Sequence, residues 1–143
     1  MLRVLPLLLA AAMPGTADAA PVLDARLESC DRQGASFVGS MPALAGTERM
    51  EMRFDLEARE AGEPWRPVPA PRFGGWERSK PRRSGFVYEK RVERLDPQRA
   101  YRAVVRFRWL DAEGVVQRRA RRLTEVCRPR PATAGRTRSV ATM

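Results

Sequence analysis

The chain has 143 residues, with 27 Lys plus Arg against 17 Asp plus Glu, for a formal net charge of +10. That length holds one domain and little more. No His, Asn or Ile occurs; without His there is no Ser-His-Asp or Cys-His nucleophilic site and no imidazole metal ligand, and two cysteines cannot build a zinc site alone.

Residues 1–20 read as a secretory signal peptide. Arg3 supplies a positive start, Val4 to Met13 is an apolar run, and Pro14 and Gly15 break it before the small-x-small pattern Ala17-Asp18-Ala19. Cleavage is expected after Ala19 or Ala20. A membrane-spanning helix needs ~20 apolar residues, and this run has about half that, so the mature chain is expected to carry no transmembrane segment. The first cysteine, Cys30, lies well past the run, which argues against lipidation at the cleavage point. Export makes the chain a secreted, extracellular or cell-envelope protein, where a cysteine pair is usually a disulfide. Cys30 and Cys127 allow one intramolecular pairing, and the loop it closes has 98 residues. Two unpaired thiols are the alternative.

The segment between the cysteines reads as strands. Ser36 to Met41 is expected to be extended. From Arg49 the pattern alternates, with Met50, Met52, Phe54 and Leu56 on one parity and Glu51, Arg53, Asp55 and Glu57 on the other. Period two marks a strand with one buried and one wet face. Glu51, Asp55 and Glu57 beside Arg53 read as ordinary solvated surface. Trp65 to Pro71 contains three prolines and is limited to an edge or a short irregular strand. Gly74-Gly75-Trp76 looks like a turn feeding a short strand. Phe86, Tyr88 and Val92 mark another run, with Lys90 the exception in its row.

Residues 92–101 then carry Val92, Leu95, Pro97 and Tyr101. This stretch resembles the end of strand E and the start of strand F in fibronectin type III domains, which have Leu-x-Pro-x-x-x-Tyr there. The resemblance implies a tyrosine corner, in which the Tyr101 ring packs inside while its hydroxyl bonds to nearby backbone. Leu95, Pro97 and Tyr101 are then structural residues. The chain departs from that family's pattern in lacking a Trp in the Met50–Leu56 strand and in having a cysteine pair.

Tyr101 to Leu110 is the second clear strand, with Tyr101, Ala103, Val105, Phe107 and Trp109 on one face and Arg102, Arg106 and Arg108 on the other. Asp111-Ala112-Glu113-Gly114 follows as a short loop. Val115 to Val126 returns as a partner strand of uncertain parity, where a bulge is expected. Arg118 to Arg122 could alternatively belong to a short uncapped helix. Many short strands with regular turns imply a single all-β antiparallel sandwich over 21–127. The resemblance makes it immunoglobulin-like, specifically fibronectin type III-like. The expected core is Met50, Met52, Phe54, Leu56, Phe86, Tyr88, Val92, Leu95, Tyr101, Val105, Phe107 and Trp109. The tail, 128–143, is rich in Pro, Thr, Ala, Ser and Arg and is expected to be disordered.

Nearly all the positive excess lies after residue 98: residues 99–122 hold eight arginines against Asp111 and Glu113. If these last two strands are sheet neighbours, Arg102, Arg106 and Arg108 lie beside Arg118, Arg119, Arg121 and Arg122 on one outward face. Arginine forks suit phosphate, sulfate or carboxylate. The expectation is therefore a non-catalytic secreted module with an unknown extracellular or envelope partner and no cofactor or metal. The alternative is an arginine-rich polyanion binder for an envelope polymer, anionic lipid or nucleic acid. The simpler reading is a GC-rich codon bias, which puts arginine at any solvated position. A carboxylate-based enzyme is a third hypothesis and needs two close carboxylates in a deep cleft.

Overall fold

A computed structural model describes residues 21–129. The predicted signal peptide, and the tail from residue 130 onward, lie outside the described residues. The elements are β1 (Asp24–Asp31), β2 (Gly34–Pro42), β3 (Arg49–Arg59), β4 (Arg66–Pro67), β5 (Trp76–Arg78), β6 (Gly85–Glu93), β7 (Ala100–Leu110) and β8 (Val116–Leu123). Among the described residues there is no helix, and so none long and apolar enough to cross a membrane.

The strands form two antiparallel sheets, one in the order β1-β2-β6 and one in the order β4-β3-β7-β8 with β5 also on β3. Strict alternation explains β3. Met50, Met52, Phe54, Leu56 and Ala58 are all buried on its inner side. The strand pairs with β7 along its whole length, from Arg49↔Leu110 to Arg59↔Ala100. The other edge of β3 is shared by β4 at Glu57↔Pro67 and β5 at Glu51↔Arg78. Prolines 67, 69 and 71 interrupt what is otherwise one edge strand, because proline has no N–H to donate.

The core lies between the sheets. Ala35, Phe37 and Met41 from β2 meet Met52, Phe54, Val105 and Phe107 from β3 and β7, all 0–1 % exposed. Gly39 faces the same interior, and a Cβ there would stand 2.4 Å from Met52 Sδ. Only a glycine lets β2 come this close to the larger sheet. Ten of the twelve expected core residues are buried in this cluster, while Phe86 and Tyr88 pack against its margin and stay half-buried. Lys90, the exception in that row, does point inward: it is 5 % exposed and its ammonium pairs with Glu77 of β5, tying the open flanks of the two sheets together.

Four features close the ends. Cys30 on β1 and Cys127 beyond β8 form a disulfide with Cα atoms 5.6 Å apart. Tyr101 and Cys127 exchange two backbone hydrogen bonds of 2.7 and 2.8 Å, so the chain after β8 stays on β7 as far as the bridge. The Tyr101 hydroxyl accepts a hydrogen bond of 2.9 Å from the Asp96 N–H, across the crossover from β6 to β7. At the far end the Trp109 indole N–H donates to the Pro42 carbonyl at 2.7 Å.

β1 has no sequence signal that stands out, because its register shifts between Leu27 and Ser29 and breaks the alternation. Arg118 to Arg122 lies in strand β8 and forms no helix. The bulge expected in the returning strand falls at Gln117, since Trp109 pairs with Arg118 but Leu110 with Val116.

Candidate functional site

The seven arginines singled out by sequence lie on β7 and β8, which are neighbours in the larger sheet. They do not share one face. Residues directly opposite in a ladder point to the same side. Arg108↔Arg119 and Arg106↔Arg121 therefore place those four on the outer face with Arg102. Trp109↔Arg118 and Val105↔Arg122 turn the remaining two toward the inner side of the sheet. There β8 is an edge strand with little cover, and both arginines stay exposed.

The two strands also differ in partners. Arg108 donates two hydrogen bonds to Glu51 Oε2, at 2.9 and 2.6 Å. Arg106 pairs with Asp55, and Arg102 pairs with Glu57 at 2.9 Å. Among the described residues, Arg118, Arg119, Arg121 and Arg122 form no ion pair; Arg122 donates only to the Arg121 carbonyl, at 2.8 Å. The predicted seven therefore separate into three arginines committed to the fold and four free ones on an edge.

The reading of Glu51, Asp55 and Glu57 as ordinary solvated surface is corrected. β3 is an interior strand, and its outer side is covered by the Trp76 and Arg78 side chains of β5 and by long side chains from β7. Glu51 is 1 % exposed. Its other oxygen, Oε1, accepts from Arg78 at 3.0 and 3.2 Å, so one buried carboxylate is shared by two guanidinium groups. Asp55 likewise bridges Arg53 and Arg106.

Trp65 and Trp76, distant from these arginines in sequence, are brought onto the same face. The Arg108 guanidinium carbon lies 3.8 Å from the Trp76 ring centroid. Trp65 takes Arg102 at 4.3 Å and Arg59 at 4.7 Å. Cation–π stacking thus continues the carboxylate pairs into an ordered lattice of alternating Arg, Trp and acid. No sequence spacing announces it, because β4 and β5 reach β3 only through the loop between them.

Between the two tryptophans lies a groove of about 350 Å³ lined by Arg53, Asp55, Glu57, Pro67, Val104 and Arg106. It holds two carboxylates, but each already accepts hydrogen bonds from arginine. Comparison with known proteins finds no matching family model, no matching curated protein and no matching solved structure.

Proposed function

We propose that this chain is an exported, non-catalytic module of the fibronectin type III-like or immunoglobulin-like kind, with a binding or structural role outside the cytoplasm. The three-strand sheet β1-β2-β6 stacked on β4-β3-β7-β8 supports that class of fold. So does the Tyr101 hydroxyl bond at the β6–β7 crossover. The Cys30–Cys127 bridge fits an oxidising compartment. The binding role rests on one observation: the outer face of the larger sheet is an ordered lattice of arginines and half-buried tryptophans. Trp and Arg are the residues that most often anchor protein interfaces, and a lattice already held in place loses little freedom on contact. Affinity capture from the producing cell's envelope fraction tests this. A component retained by the parent chain and released by Trp65→Ala/Trp76→Ala, with the fold intact by circular dichroism, is the expected result. Equal capture by both proteins removes the face from consideration.

The second reading, a polyanion binder, is favoured by the four unpaired arginines of β8. Heparin-column elution should move to lower salt when Arg118, Arg119, Arg121 and Arg122 are replaced by Gln. Electrostatic binding weakens as salt rises. Retention that ignores salt, or that survives loss of all four, ends this reading.

A further inference from the structure

The backbone points to a second basic site, separate from β8 and independent of the module reading. Among the described residues, three other than glycine have left-handed φ angles: Arg72 at 68°, Arg82 at 52° and Arg94 at 56°. All three are arginine. This conformation crowds a Cβ against the carbonyl and is usually left to Gly or Asn. Glycine was available, since the chain holds 10 of them and uses several in left-handed turns.

Arg82 is accounted for by its own contacts. Its N–H donates to the Glu48 carbonyl at 2.8 Å and its guanidinium reaches the Glu48 carboxylate at 3.4 Å. Arg72 and Arg94 have no such partner among the described residues. Arg72 is third in a turn closed by the Phe73 N–H to the Ala70 carbonyl at 3.2 Å, with Pro71 second. That is the position where a type II turn normally takes Gly. Arg94 follows the end of β6. Although 22 positions apart in sequence, both line one open groove of about 530 Å³. Arg91 joins them there, with Glu93 the only acid. Arg91 is partly engaged, by Glu93 at 3.5 Å and Ser36 Oγ at 3.3 Å. The groove continues along an apolar wall that includes Val68, Pro69 and Pro71.

We propose that Arg72 and Arg94, with Arg91, form a binding site for a phosphate or sulfate group at the seam between the two sheets. Strain kept at two positions that glycine would relieve, both lining one groove and neither in an ion pair among the described residues, is accounted for by a ligand. Guanidinium forks match tetrahedral oxyanions, and three of them against one carboxylate call for more than a single negative charge.

The test is an amide NMR titration of the disulfide-bonded chain with inorganic phosphate and, separately, inorganic sulfate, against chloride at equal ionic strength. Saturable shifts at Arg72 and Arg91 to Arg94 are expected with at least one anion, and the tighter one names the ester class. Arg72→Gly/Arg94→Gly should weaken that binding by about tenfold or more. In chloride the same variant should melt no lower than the parent, because glycine relieves the strain. The variant lacking the four β8 arginines should bind the anion as the parent does. The site is refuted if no shift saturates, if the glycine variant binds equally well or melts lower, or if loss of the β8 arginines abolishes the titration.

Discussion

Replacing Cys30 and Cys127 together by Ser is expected to destabilise the fold by about 4–5 kcal/mol, the value chain-entropy arguments give for a crosslink closing ~100 residues. The two cysteines are 97 positions apart, so the bridge restrains almost the whole unfolded chain. It also acts in the folded state. β1 is an outer strand paired only with β2. Besides the bridge and the packing of Ala25 into the core, the Leu27 N–H donates to Glu125 at 2.6 Å. Urea unfolding of the oxidised parent and the double Ser variant measures the difference. A loss below about 1 kcal/mol shows that the unfolded chain is already compact enough to gain little from the link.

Glu51→Ala is expected to cost about 2–3 kcal/mol, toward the low end for breaking a buried ion pair, because Arg78 and Arg108 keep some access to water. Their side chains are 59 % and 26 % exposed, against 1 % for Glu51. Without the carboxylate, Arg108 loses two hydrogen bonds and stands against Trp76 with Arg78 close by. Glu57→Ala, on the same face of β3, is the control. Glu57 is 16 % exposed and pairs with one arginine, so its loss should cost about 1 kcal/mol or less. Denaturant unfolding of the two variants separates them. Equal effects return Glu51 to the solvated surface that its position in sequence suggests.

That contrast shows where sequence reading stops. The alternation at 50–57 is identical for Glu51, Asp55 and Glu57, and local pattern reports only that they share a face. Whether that face is wet depends on what lies beside the strand. β5 arrives more than twenty residues later, and its Trp76 and Arg78 turn the Glu51 end of the face into a covered one. The parity of β8 was hidden for a related reason. With arginine at four of the five positions 118–122, no apolar row marks the inner side. The ladder with β7 settles it, and the bulge at Gln117 sets which arginines point outward. The left-handed backbones of Arg72 and Arg94 were equally hidden, since arginine carries no turn signal.

Local pattern was enough for the strand character of the chain, the inner rows of β3 and β7, the Gly114 turn between β7 and β8, and the one disulfide that two cysteines allow. Those follow from period-two hydrophobicity, turn chemistry and cysteine count, each readable within a few residues or by simple counting. Which arginines are free, which carboxylate is buried and which tryptophans meet them depend on the packing of distant strands. Pairing of charges and stacking of rings act over a few ångströms in space, and antiparallel folding brings residues tens of positions apart within that range.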